Sequence, residues 1–331
     1  MGVAYNDKGE YEKVIECYQK VIQIKPDDAD TYYSMGNKYR KKGDDDQAIE
    51  CYQKAIHFKS DFAEAYNNMG LAYEKKGEYD KAIECFQKAI QIKPDYAEAY
   101  HNMGNTYGKK GEHEQTMKCS QKAIQIKPDF AEAYYNMGCV YFHKGDYDKE
   151  IESYQKAIQL KPDYAVVYKN MGVAYADKGE YDKANECYQK AIQINLDDAK
   201  AYYNMGNAYD NKGEYNKAIE CYQKVIEIKP DDADAYYNMG IAYYKKDDYD
   251  QAIKYFQKAI QIQPNLERAY TNIGNAYGHK GEYDQAIECY QKAIEIRPDD
   301  AWTYFFMGVA YEKSGNHAMK EECFAKARRN G

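Results

Sequence analysis

The chain has 331 residues, 44% of them hydrophobic and 30% charged, with a formal net charge of −8. That length exceeds one ordinary domain, and the composition supplies enough apolar surface for a buried core. The acidic balance argues against a general binder of nucleic acid or anionic membranes, and no apolar run approaches the roughly 18 residues a membrane span needs.

The N-terminal stretch MGVAYNDKGE lacks the basic-then-apolar pattern of a secretory signal. It reads as the end of a short helix, MGVAYNDK, followed by a second one that leaves the apolar side of Tyr18 and Val21 poorly covered. Beginning at Gly2 a glycine returns every 34 residues, at Gly36, Gly70, Gly104, Gly138, Gly172, Gly206, Gly240, Gly274 and Gly308. An unbroken period of this length marks a repeat architecture. Counting units from Ala29 makes that glycine position 8. Residues 1–28 are then a truncated first repeat, 29–300 hold eight full repeats, and 301–331 form a divergent terminal one, a single array from end to end.

The unit from Ala199 shows the local logic. Tyr202, Met205, Gly206 and Tyr209 recur at helical spacing and line one face. Asp197 or Asp198 can cap the start. Other units open with Asp61-x-x-Glu64, Asp95-x-x-Glu98 and Asp129-x-x-Glu132, an aspartate form of the capping box. Gly213 suits a left-handed helix end. A second helix carries Tyr215, Ala218, Ile219, Tyr222, Val225 and Ile226 on one stripe, and Pro230 stops it. Each helix–turn–helix unit cannot bury its stripe alone, so neighbours must stack. Most of the 40 tyrosines fall at positions 4, 11, 17 and 24. Aromatic rings at helical spacing are core rather than a cofactor site.

These residues resemble the tetratricopeptide repeat family. Its pattern is an aromatic at 4, Gly at 8, Tyr at 11, Ala at 20, an aromatic at 24, Ala at 27 and Pro at 32. Tyr236, Gly240, Tyr243, Ala252, Phe256, Ala259 and Pro264 fill those places in one repeat. The resemblance covers the whole chain. It implies an all-α, right-handed superhelical solenoid whose first helices line a concave groove. The array is similar to the repeat region of O-linked N-acetylglucosamine transferase, where asparagines at position 6 hold the backbone of an extended peptide.

Position 6 carries Asn68, Asn102, Asn136, Asn170, Asn204, Asn238 and Asn272. At about 100° per residue, positions 2, 6, 9 and 13 fall opposite the apolar side, so Lys200, Asn204, Asn207 and Asn211 form an exposed stripe that the core does not require. A primary amide offers donors and an acceptor to any peptide group. First helices about 9 Å apart match every third residue of a strand rising about 3.3 Å each. Duplication of one ancestral unit would repeat asparagine equally well, and the sequence leaves both readings open.

Departures from the pattern single out further positions. Tyr33, Tyr135, Lys169, Tyr203 and Tyr237 occupy position 5, and Phe142 and Tyr244 position 12, giving the middle repeats an aromatic lining. In the last repeat Trp302, Phe305 and Phe306 replace the polar ladder with an apolar cluster. That cluster is either a pocket for a partner's hydrophobic anchor or a seat for something that caps the array. A chaperone-tail carboxylate clamp is matched only at Asn207, Asn238 and Arg268, because Tyr203 and Asn272 stand where the family places cations.

Catalysis finds no support. The six histidines are scattered, with no nucleophile and orienting acid nearby. Cys139 and His143 make half of a metal site at most, and no phosphate loop exists. No cofactor is expected. The nine cysteines include no CxxC pair, and eight share one repeat position. Equivalent positions in neighbouring repeats lie about 8–10 Å apart, beyond the roughly 4.4–6.8 Å a disulfide spans. Reduced thiols and a cytoplasmic protein are therefore expected. Thr116, Met117, Ser120 and Glu150 break core positions and predict a soft segment over 113–151.

The functional expectation is a non-catalytic protein–protein interaction scaffold holding an extended peptide segment of a partner in its groove. There would be no nucleic-acid partner and no membrane insertion. Two alternatives remain: a self-assembling structural protein, a homo-oligomer through stacked repeat ends, and the targeting region of a larger enzyme. The chain starts at position 7 of a repeat and stops at position 31, which fits either a fragment of a longer protein or complementary ends that stack head to tail.

Overall fold

A computed structural model describes residues 3–331, with side chains from Tyr11 onward. Among the described residues every regular element is helical, 19 in all. They are α1 (Val3–Ile24), α2 (Ala29–Lys42), α3 (Asp45–Phe58), α4 (Ala63–Lys75), α5 (Tyr79–Ile92), α6 (Ala97–Lys109), α7 (His113–Ile126), α8 (Ala131–Lys144), α9 (Tyr147–Leu160) and α10 (Ala165–Asp177). There follow α11 (Tyr181–Ile194), α12 (Ala199–Asn211), α13 (Tyr215–Ile228), α14 (Ala233–Lys245), α15 (Tyr249–Ile262), α16 (Glu267–Lys280), α17 (Tyr283–Ile296), α18 (Ala301–Lys313) and α19 (His317–Asn330). The helices group into two compact units, one ending at Val167 and one beginning at Tyr168.

Within each unit the expected helix pairs stack as a tandem all-α solenoid. In the first unit, α1 to α9 each pack on their neighbours; in the second, α11 to α19 do so. The first helices of successive repeats also meet directly, α2 with α4, α4 with α6, α6 with α8, and α16 with α18. Their polar sides therefore lie next to one another as a continuous face within a unit.

The close approach of the two helices in a repeat explains the position-8 glycine. A Cβ on Gly36 would stand 2.7 Å from Cε1 of Tyr52, and one on Gly240 2.6 Å from Cδ1 of Phe256. These aromatic rings at position 24 are fully buried, as are the alanines at positions 20 and 27, for example Ala48 and Ala55. The small residues let the backbones close and the ring fills what remains.

Two local expectations need correction. Residues 3–24 form one continuous helix rather than a short stub and a second helix. An eight-residue helix is too short to hold itself without a partner to pack on. The aspartate capping boxes are also misplaced by one residue. The N-caps of α4, α6 and α8 are Phe62, Tyr96 and Phe130, without a side-chain cap bond. The ring of Phe62 instead packs on Tyr33 at 4.8 Å between centroids, with the Lys59 ammonium 4.2 Å above it. Ring packing takes the place that a cap would occupy. At Asp198 the expectation holds: its carboxylate accepts from the Ala201 N–H at 3.0 Å.

The turn after the first helix needs a left-handed residue. Gly213 supplies it with φ 82°, and Asp247 adopts φ 60° at the equivalent place.

Candidate functional site

The face built by the first helices carries the asparagines, but they are not an exposed stripe. Each lies half-buried, and Asn136 is buried. Their amides are used between repeats. The Asn68 Nδ2 donates to Oη of Tyr33 at 3.1 Å and to Oδ1 of Asn37 at 2.8 Å. The Tyr52 hydroxyl donates to the same Asn37 oxygen at 2.8 Å. The arrangement recurs in the second unit, where Asn238 donates to Tyr203 at 2.8 Å and to Asn207 at 3.4 Å, and Tyr222 donates to Asn207 at 2.8 Å. Asn272 donates to the Tyr237 hydroxyl at 2.9 Å. Asn102 donates to Oδ1 of Asn67 at 3.0 Å, and the Asn136 amide meets Nδ1 of His101 at 3.3 Å.

At Asn68, Asn102, Asn136, Asn238 and Asn272, position 6 thus ties its repeat to position 5 or 9 of the one before. The core does not demand it, but the repeat interface uses it. Among the described residues Asn204 has no hydrogen-bond partner, because position 5 before it is Lys169 rather than a tyrosine. The carbonyl oxygens of Asn238 and Asn272 accept nothing among the described residues, which leaves an acceptor on those two rungs, whereas the Asn68 carbonyl takes the Asn67 amide at 3.3 Å.

The position-5 tyrosines are half-buried as well. Tyr33 packs on Tyr52 and Tyr203 on Tyr222, each with centroids 6.0 Å apart, and Tyr237 packs on Phe256 at 5.5 Å. Tyr135 lies between Tyr154 at 6.0 Å and Tyr164 at 5.6 Å. Burial raises the phenol pKa of Tyr203, Tyr237 and Tyr244 above the ordinary value. Only one edge of these rings is left for a ligand.

Lys169 forms an ion pair with Asp198 at 2.6 Å. Burial pulls the Asp198 carboxyl upward, but the Lys169 ammonium and the helix N–H groups outweigh it and hold the pKa below the usual value. Arg268 pairs with Asp234 and lies 4.3 Å over the Tyr237 ring. Cys139 takes the Tyr154 hydroxyl at 3.7 Å, and His143 stacks on His113 at 4.2 Å. No cluster of three or more metal-ligating side chains occurs among the described residues.

The terminal aromatics come together as expected. Trp302 is 69% exposed and meets Phe305 and Phe306, each at 6.3 Å. Phe306 also lines a cavity of about 290 Å³ with Tyr244, Asn275, Gly278, Tyr290 and Lys313. Sequence reasoning had Tyr244 and Phe306 as separate candidates and missed Gly278 and Lys313, which join them. Position 12 in one repeat and position 13 in the next would have been the signal. Those two places meet at Glu74 and Lys109, and at Asp210 and Lys245.

Models of the TPR repeat match residues 2–37, 36–77, 75–111, 109–145, 138–179, 174–213 and 211–247. Models of the tetratricopeptide repeat match 231–299 and 265–330. The chain belongs to the tetratricopeptide repeat family. Among solved tetratricopeptide repeat structures it is similar to YrrB, described as a TPR protein with an unusual peptide-binding site. The two are 29% identical with a TM-score of 0.52, over 56% of this chain and 96% of that one. The APC/C hetero-tetramer Cut9–Hcn1 is 20% identical with a TM-score of 0.51, over 89% of this chain and 58% of that one, a likeness of fold alone. MamA is 34% identical over 50% of this chain and 96% of that one, with a TM-score of 0.48. No curated protein matches the sequence. Tetratricopeptide repeats are protein-interaction scaffolds, and no helix here is long and apolar enough to cross a membrane.

Proposed function

We propose that this tetratricopeptide repeat protein is a non-catalytic scaffold that binds an extended segment of a partner protein along its first-helix face. The observation that carries the reading is the pair of position-6 asparagines Asn238 and Asn272, whose amide N–H groups are tied to the preceding repeat while their carbonyls accept no bond among the described residues. A carbonyl held by its own amide is pre-oriented, and it suits a peptide N–H regardless of side chain. The structure halves what each rung can give. Within the second unit four rungs with one bond each contribute at most about 4 kcal/mol, less than the ordering of a long peptide costs at roughly 1–2 kcal/mol per residue. Affinity must then come from side-chain contacts along that unit's first-helix face, at Lys169, Tyr203, Tyr237 and Tyr244 and at the exposed Trp302 and Phe305, with Tyr135 the counterpart in the first unit. The likeness to YrrB, a protein with a peptide-binding site, is in keeping with this.

The test uses a peptide selected from a random display library. Hydrogen exchange with bound peptide is expected to slow in the first helices, α12, α14 and α16 among them, and Asn204→Ala is expected to weaken binding about fivefold without loss of stability. Protection confined to second helices such as α13 and α15, with no effect of Asn204→Ala, would overturn the reading.

A further inference from the structure

On the first-helix face, position 12 of one repeat meets position 13 of the next at three places. Glu74 takes the Lys109 ammonium and also accepts from the Thr106 hydroxyl at 2.6 Å. Asp210 takes Lys245 at 2.6 Å. Tyr244 meets His279 edge-on at 5.6 Å between centroids. At two places position 12 is glycine, and at both a cavity opens. Gly108 lines one of about 220 Å³ with His113 and His143, and Gly278 lines the one of about 290 Å³ with Lys313.

The two cavities differ in charge. Beside Gly108 the next repeat presents His143, stacked on His113, and the nearby Lys109 already has Glu74. Beside Gly278 the next repeat presents Lys313, which has no ion pair among the described residues. The carboxylate that Lys109 and Lys245 receive from within the chain is missing there. The remaining walls are mainly apolar: Tyr244, Tyr283, Tyr290, Phe306, Val309 and Ala310, with Asn275, whose oxygen takes the Tyr290 hydroxyl, and His279, stacked on Tyr249. A carboxylate alone would leave them wet, and an apolar group alone would leave Lys313 unmatched.

We infer that this cavity selects, within the bound segment, a bulky apolar side chain and, two residues along on the same face of the extended chain, an aspartate or glutamate. The apolar group fills the space beside Gly278 and the carboxylate pairs with Lys313, completing from outside the match that Glu74 and Asp210 provide from inside. The inference rests on the peptide-binding reading above and adds its specificity.

The test is fluorescence anisotropy with the full chain and a labelled Ser/Gly-rich peptide carrying one central Phe and a Glu two residues after it, the Phe-Glu peptide. Binding is expected, and the Phe-Gln and Ala-Glu peptides are each expected to bind about tenfold more weakly. Gly278→Glu supplies the missing carboxylate and is expected to weaken the Phe-Glu peptide about tenfold, while Gly278→Ala stays within about twofold. A Cβ there meets only the Tyr290 hydroxyl, at 3.9 Å, so the alanine fits without strain. Lys313→Gln is expected to bind the Phe-Glu and Phe-Gln peptides alike, and it decides the matter should Gly278→Glu fail to fold. Equal binding of both peptides to the wild type, no effect of Gly278→Glu, or no binding of the Phe-Glu peptide would overturn the inference. A library-selected peptide that still protects the first helices but ignores Gly278→Glu would leave the general reading standing and remove this one.

Discussion

Asn238 and Asn204 occupy the same place in successive repeats and differ in what they hold. Asn238 bridges Tyr203 and Asn207 across a repeat boundary, whereas Asn204 bridges nothing among the described residues. Asn238→Ala takes the donor from the half-buried Tyr203 hydroxyl and leaves the Asn207 carbonyl with Tyr222 alone, and is expected to cost about 1–2 kcal/mol. Asn204→Ala is expected to cost less than about 0.5 kcal/mol. Urea unfolding of the two variants checks this, and equal losses would mean that the amide bonds contribute nothing. His101 provides a second handle. Burial lowers its pKa, against the pull of Glu132, Glu74 and Glu98 in the opposite direction. The unfolded chain therefore takes up that proton near the ordinary value of about 6.5, while the folded chain takes it only at lower pH. Stability conferred by the neutral ring is present above about pH 6.5 and falls as the pH drops through that value. Urea midpoints at about pH 7.5 and about pH 5.5 are expected to differ more in the wild type than in His101→Gln.

Element boundaries were legible where backbone chemistry dictates them. Gly213 and Pro230 bracket α13 as their conformations require, and position-8 glycines mark where an aromatic ring presses on the facing helix. That pressure sets up a contrast. Gly240→Ala pushes a methyl group into Phe256 and is expected to cost about 1–3 kcal/mol. Gly278→Ala has room, and alanine is the better helix former by about 1 kcal/mol. Thermal melts of both would test whether packing or propensity governs each site. Asp247→Gly is expected to stabilise by about 1 kcal/mol, because it relieves a left-handed residue that carries a Cβ. The candidate face was legible too, since periodicity alone places position 6 opposite the core. Its hydrogen bonding was not. The partners of Asn68 lie on another repeat, at Tyr33 and Asn37, and a helical wheel of one repeat says nothing about the offset between two. The capping boxes failed for a related reason: Phe62 is held by the ring of Tyr33 and the ammonium of Lys59, a tertiary contact that overrides local preference.

At the scale of the whole chain, a repeat array holds together through nearest-neighbour interfaces, so a weak repeat is felt by the whole stack around it. Repeat four is the weak one in the first unit. Its position 24 is Ser120, fully buried with its hydroxyl lacking a partner, where other repeats place a tyrosine or phenylalanine. Gly104 faces no ring: a Cβ there would meet the Cys119 Cβ at 3.0 Å, the Thr116 carbonyl oxygen at 3.5 Å and the Ser120 nitrogen at 3.8 Å. The cavity of about 220 Å³ lies on the same helices and is lined by Asn105. In other repeats the asparagine at that place accepts the ring's hydroxyl, as Asn37 does from Tyr52 and Asn275 from Tyr290, both at 2.8 Å. Ser120→Tyr restores both halves of that arrangement, a ring over Gly104 and a hydroxyl donating to Asn105. The gain expected is about 1–3 kcal/mol, the worth of burying one large side chain. Because the interface terms are close to additive, hydrogen exchange should slow in α6, α7 and α8 together and change little in α14 and α15. A destabilised Ser120→Tyr would show that the helices have closed around serine too tightly for a ring. A stable variant whose slowed exchange is confined to α7 would show that the segment over 113–151 is not the point at which the first unit opens.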